Sequence, residues 1–114
     1  METTEIQERN KQIALMLGWY HEDYIWKMLK PFRDGFISET KDVELQFHTD
    51  WNWLMEAVEF VESRGYEIDI FANCVEICTT PDEDYVSEAV GKTKKEAVFL
   101  IVSDFAKLYN ENKL

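Results

Sequence analysis

Tyr66-Glu-Ile-Asp-Ile-Phe-Ala-Asn-Cys-Val-Glu-Ile-Cys78 is the stretch on which the fold of this chain turns. Tyr66, Ile68 and Ile70 alternate with Glu67 and Asp69, and Val75 and Ile77 alternate with Cys74, Glu76 and Cys78. A period of two sends one set of side chains to a buried face and the other to water, so each run predicts a half-buried strand. Between the runs, Ala72-Asn73 suits a tight turn, because asparagine tolerates left-handed backbone. A third strand is expected around Tyr85 to Val90, after the acidic turn Pro81-Asp82-Glu83-Asp84. Together these make a β-meander.

Working outward, helical spacing replaces the period of two. Upstream, Thr49 or Asp50 is suited to cap a helix from Trp51 to Arg64 that Gly65 stops. Downstream, Thr93 and Glu96 have the spacing of a capping box, and Ala97, Val98, Ile101, Val102, Phe105, Leu108 and Tyr109 give a strong amphipathic helix. At the start of the chain, Thr4 and Gln7 predict another capping box. Ile6, Ile13, Met16 and Leu17 recur at helical spacing there, and Gly18 is the expected stop. Between Trp19 and Phe47 the pattern is weaker. Tyr24, Trp26 and Met28 alternate up to Pro31 and the Asp34-Gly35 turn signal, and Val43, Leu45 and Phe47 alternate with Glu44 and Gln46, which predicts a hairpin-like strand region. The order is helix, strands, helix, meander, helix. That predicts an α+β sandwich of about three helices with an antiparallel sheet, in one domain over residues 1–114.

Composition bounds what such a domain does. The 114 residues suffice for one core, and 46% apolar residues mark a folded chain. There are 23 acids against 12 bases, a formal charge of −11, which argues against direct DNA binding and against an anionic membrane surface. No apolar run approaches the roughly 18 residues that span a bilayer. The acidic, polar start Met1-Glu-Thr-Thr-Glu is unlike a secretory leader, so a cytoplasmic protein is the expectation. Cys74 and Cys78, on one face of a strand, would stand about 13 Å apart, beyond the roughly 7 Å reach of a disulfide. Free thiols are expected. No second Cys/His pair completes a zinc set, so neither metal nor cofactor is expected.

The stretch Leu45-Gln-Phe-His-Thr-Asp-Trp-Asn-Trp-Leu-Met-Glu-Ala-Val-Glu-Phe-Val-Glu62 resembles the L-K-F-H-x-x-W-x-W-L-M-x-x-V-E-x-I-E pattern of small phage and prophage proteins of the α-β-α sandwich kind. Asn10-Lys-Gln-Ile-Ala-Leu-Met-Leu-Gly-Trp19 resembles that family's opening helix. Lys94-Lys-Glu-Ala-Val98 and Phe105-Ala-Lys-Leu-Tyr-Asn-Glu111 resemble its closing one. Together these pieces cover roughly half of the chain. Residues 20 to 44 depart from the pattern, so nothing carries over to them. The resemblance implies a mobile-element origin and a fold; the family has no established activity, so it implies no chemistry.

Catalytic readings fare poorly. His48 and Asp50 flank the start of the second helix, and His21, Glu22 and Asp23 cluster upstream, but the spacing fits a cap and a solvated loop better than a metal or acid/base site. Neither a Gly-rich phosphate loop nor a nucleophile elbow is present. A non-enzymatic protein is expected.

Two features point to binding instead. In the second helix Trp51, Leu54, Met55, Val58 and Val61 form one apolar stripe, and Trp53, Ala57 and Phe60 form another. The second stripe either packs on a neighbouring helix or leaves Trp53 and Phe60 as an aromatic edge for a homodimer or partner. Charge placement is sharper. Residues 34 to 90 hold 15 acids and two bases, a local −13, whereas the other 57 positions hold eight acids and ten bases, or +2. Negative charge serves solubility, and it also suits a basic protein groove of the kind that holds RNA or DNA. The proposed contacts are Glu56, Glu59, Glu67, Asp69, Glu76, Asp82, Glu83, Asp84 and Glu88.

The leading expectation is a phage-encoded inhibitor of a nucleic-acid-handling defence effector, a CRISPR effector being the concrete example. A self-assembling accessory or structural phage protein is the alternative. A third reading is an anti-defence protein that sequesters a small nucleotide. It needs a cationic anion site, for which Lys27, Lys30 and Arg33, with Arg9 and Lys11, are the candidates.

Overall fold

The computed structural model describes residues 1–22, 25–27, 39–41, 45–79 and 85–113. Helix α1 (Thr3–Met16) leads into three short strands, β1 (Tyr20–Glu22), β2 (Ile25–Lys27) and β3 (Glu39–Lys41). Helix α2 (Trp51–Ser63) follows, then the meander β4 (Tyr66–Phe71), β5 (Cys74–Thr79) and β6 (Tyr85–Val90), and last helix α3 (Lys94–Asn110). All strand pairs are antiparallel, in two sheets ordered β1-β2-β3 and β4-β5-β6. The class is α+β, as the pattern predicts.

The larger sheet has one face under helices. Helix α2 lies on β4, and α3 lies on β5 and β6 while also touching α2 and α1. Because α3 is covered on several sides, eight of its residues are buried, including Val98, Phe99, Ile101, Val102 and Phe105. They share one core with Val75 and Ile77 of β5 and Leu54, Ala57 and Val61 of α2. Trp19 and Trp26 belong to the same core. Trp26 sits in β2 opposite His21, with the two rings 5.0 Å apart, so His21 is a strand residue and not part of a loop.

Helix ends follow local chemistry. Gly18 and Gly65 both adopt φ +89°, which only glycine takes without strain, and each turns the chain out of its helix. Asp50 caps α2 by accepting from the Asn52 amide at 2.8 Å. Thr93 caps α3 by accepting from the Glu96 amide at 3.1 Å, and Glu96 reaches back to the Lys92 amide at 3.0 Å, one residue before the usual partner in a capping box. The capping box expected at Thr4 is absent. Helix α1 starts two residues earlier, with Glu2 in the cap position and no side-chain cap bond, which places Thr4 inside the first turn.

Three further local expectations are corrected. Leu45 to Phe47 is not a strand, since the Gln46 carbonyl accepts from the Thr49 and Asp50 amides and closes a turn there. Leu45 and Phe47 are buried nonetheless, so alternation recorded their burial and not their backbone. At the β4–β5 turn it is Ala72, at φ +53°, that takes the left-handed conformation, and not Asn73. Asn73 instead donates through its side-chain amide to the Gly91 carbonyl at 2.8 Å, while its own carbonyl accepts from the Gly91 amide at 3.0 Å. Finally, Ile70, expected on the buried side of its strand, is 40% exposed.

Gly91 fixes how closely sheet and helix approach. A Cβ there would stand 2.5 Å from the Ala97 amide nitrogen, so nothing larger than hydrogen fits between the end of β6 and the first turn of α3. Tyr24, Met28, Pro31, Asp34, Gly35, Val43 and Glu44 lie outside the described residues.

Candidate functional site: the outer face of the meander

Strand register sorts the meander into two faces. Ile68 pairs with Ile77, and Ile70 with Val75, on the inner face. On the outer face Asp69 pairs with Glu76, and Glu76 with Glu88, so three carboxylates from three strands stand in one row. One row towards the hairpin tip, Phe71 pairs with Cys74 and Cys74 with Val90. One row the other way, Glu67 pairs with Cys78. The described positions of this face carry four acids and no base.

Neighbouring strands stand about 4.8 Å apart, and like charges placed directly opposite repel. A folded chain optimised only for stability would not put three in line. Phe71 and Val90, at 56% and 64% exposed, are the most exposed large apolar residues among those described. The outer face is therefore striped: an apolar row at the tip, then an acidic row, then Glu67 beside Cys78.

Cys74 and Cys78 are free thiols. Cys74 is half-buried in the apolar row, whereas Cys78 is buried beside an irregularity in the β5–β6 register.

The structure brings together Glu67, Asp69, Glu76 and Glu88 from the acidic candidates. Glu56 and Glu59 stand apart from them, since α2 lies against the inner side of the sheet. Asp82, Glu83 and Asp84 lie outside the described residues. The aromatic candidates are engaged inside the domain. Trp53 sits 5.6 Å from Trp19 and 5.2 Å from Phe47, both edge-on, and Phe60 meets Tyr109 of α3 edge-on at 5.4 Å beneath the Arg64 guanidinium. The free aromatic edge gives way to packing on neighbouring elements. Conversely Trp51, assigned by spacing to the packed stripe, is 37% exposed with the Lys95 ammonium 5.8 Å from its ring centre.

Cationic candidates do not assemble an anion pocket among the described residues. Arg9 lies in a groove between α1 and α3, donating to Ser103 Oγ at 2.8 Å and Asp104 Oδ1 at 2.7 Å and pairing with Glu5 at 3.4 Å. Its charge is answered by its own neighbours. Lys27 lies on β2, while Lys30 and Arg33 lie outside the described residues.

His48 is held by a buried polar contact. Asn10, 2% exposed, donates from Nδ2 to the Leu45 carbonyl at 3.2 Å and lies 3.0 Å from His48 Nδ1. An amide NH2 offers only protons, so Nδ1 accepts and the neutral ring carries its hydrogen on Nε2. Two acceptors on one side fix the amide orientation even though Asn10 Oδ1 is buried without a partner. Burial pushes the His48 pKa below its ordinary value of 6.5. This joins α1 to the turn before α2. It is an anchor, with no carboxylate partner that would make it an acid/base pair among its described bonds.

No group of three or more potential metal ligands occurs among the described residues, and no described helix is long and apolar enough to cross a membrane. Comparison with protein-family models, curated proteins and solved structures gives no match to this chain. Sequence reasoning found the four acids as separate residues. It did not find that Phe71, Cys74 and Val90 form a row beside them, although the alternation and a two-residue turn together imply that register.

Proposed function

We propose that this chain is a non-enzymatic interaction protein whose outer sheet face docks on a basic surface of a protein that handles nucleic acid. The observation that carries this reading is the in-line row Asp69–Glu76–Glu88, with no base beside it on that face among the described residues and bordered by exposed Phe71 and Val90. Such a row costs folding stability, and a complementary cationic surface returns that cost on binding, with steered association and salt-sensitive affinity. The narrower form of the proposal is an anti-CRISPR-like inhibitor encoded by a phage. It rests on the resemblance of Leu45 to Glu62 to small phage proteins together with this acidic face. Self-assembly through Trp53 and Phe60 is less favoured, because both rings are spent on contacts within the domain.

The test is titration of the purified protein into a guide-loaded CRISPR effector, reading complex formation and target cleavage at several salt concentrations. Inhibition that weakens with salt, and is lost in Glu76→Lys, is the expected result. A complex that forms equally well with Glu76→Lys overturns the assignment of this face. No effect on any basic nucleic-acid-handling protein overturns the function.

A further inference from the structure

The same face specifies the shape of what it binds, an inference that rests on the reading above. Three strands at about 4.8 Å spacing make the face about 10 Å wide from β4 to β6. An α-helix is about 10 Å across, so the exposed strip is one helix wide. Along the strands, successive outer-face rows stand about 7 Å apart, two residues at roughly 3.4 Å each. On a helix laid parallel to β5, residues i, i+4 and i+8 advance by about 6 Å per step, close to that row spacing. The rows differ in chemistry in a fixed order: Phe71–Cys74–Val90 apolar, then Asp69–Glu76–Glu88 acidic, then Glu67.

We infer that the outer face of β4-β5-β6 receives a single amphipathic basic helix of the partner protein, with an apolar side chain on the Phe71–Cys74–Val90 row and Lys or Arg side chains one turn further along, on the Asp69–Glu76–Glu88 row. Charge complementarity selects a cationic occupant over a second copy of this chain, whose corresponding face would bring four more acids. The exposed apolar row then distinguishes such a helix from an evenly cationic surface. Its anchor position is occupied by an aliphatic or aromatic residue, since the row offers no polar partner for anything else.

The experiment uses fluorescently labelled helical peptides of about 15 residues, near the length at which isolated helices persist. One carries Leu at i and Lys at i+3 and i+4 on one face. A second has the same composition with the Lys residues spread around the helix, and poly-lysine is the third probe. Anisotropy titration is expected to show the facial peptide binding about tenfold more tightly than the scrambled one. Phe71→Ser is expected to remove about tenfold of that affinity, as truncation of an interface anchor does, without changing the salt dependence. Glu76→Lys is expected to flatten the salt dependence. Slower reaction of Cys74 with a thiol reagent in the presence of the facial peptide would place the helix on this row, since Cys78 is buried.

Equal binding of the facial and scrambled peptides, or no effect of Phe71→Ser, overturns the helix assignment. Binding of poly-lysine in that case leaves the broader acidic-interaction function standing. Failure of all three probes to bind overturns both. Both substitutions lie on the outer surface, and matching thermal melts of the variants exclude misfolding as the cause of lost binding.

Discussion

The two faces of the β4-β5-β6 sheet are made by the same strands and put to opposite uses. On the inner face Val75 and Ile77 are fully buried beneath α2 and α3, and each contributes to one continuous core. On the outer face, one residue away along each strand, Asp69, Glu76 and Glu88 stand in a row that self-repels. The inner face answers to packing; the outer face, on the function proposed above, answers to a partner. Substitutions on the two faces must therefore have opposite signs, and that is how the contrast can be broken.

The largest expected effect is on the inner side. Ile77→Ala removes buried methyl groups at a site enclosed by helix, and a loss of about 3 kcal/mol in unfolding free energy is expected. Urea denaturation measures it, and a loss below about 1 kcal/mol would show that the helices do not close over this face. Next, Thr93→Ala deletes the cap of the helix that covers β5 and β6, with an expected cost of about 1 kcal/mol. An unchanged midpoint would mean that Glu96 and water satisfy that helix end without it.

On the outer side the sign reverses. Glu76→Gln removes the central charge of the row, and a gain of about 0.5 kcal/mol is expected, alongside weaker binding to basic partners. A destabilised Glu76→Gln would make the row a structural feature and sink the contrast. The smallest effect sharpens the comparison by pH. Because burial lowers the His48 pKa, the unfolded chain takes up this proton at a higher pH than the folded chain does. The corresponding stability is complete above about pH 6.5 and is lost as pH falls through the folded value. Relative to His48→Gln, the native protein is expected to lose melting temperature as pH falls below about 6.5. Parallel curves for the two proteins would remove the Asn10–His48 anchor from the account.

Much of this was legible in the chain itself, and the failures share a cause. Period-two alternation placed β4 and β5, Thr93 and Asp50 announced their helices, and Gly65 marked the passage from helix to strand. These signals are local, and the contacts that use them lie within a few residues. Leu45-Gln-Phe47 alternates equally well but is a buried turn, because a period of two reports which side chains are covered and leaves the hydrogen bonds unspecified. Helical spacing puts Trp51 on the packed stripe, but it is exposed; of the two readings that spacing leaves for Trp53, the structure shows the packed one. Their partners Lys95 and Trp19 come from distant positions, and Phe47 from the turn before the helix, none of which helical spacing encodes. The acidic candidates split for the same reason: charge density along the chain cannot distinguish the outer side of a sheet from the solvent side of the helix beneath it.

The Arg9 contacts carry a consequence for the order of events in folding. From Asp50 to Asn110 each element packs on a neighbour close in sequence, so that unit assembles from short loops. Helix α1 finds its partner 94 residues away, where Arg9 meets Ser103, and Asn110 reaches Gln12 across 98. Closing so long a loop draws its entropy cost before the contacts repay it. The N-terminal helix is thus expected to dock last and open first, and faster native-state amide exchange in α1 than in α3 would show it.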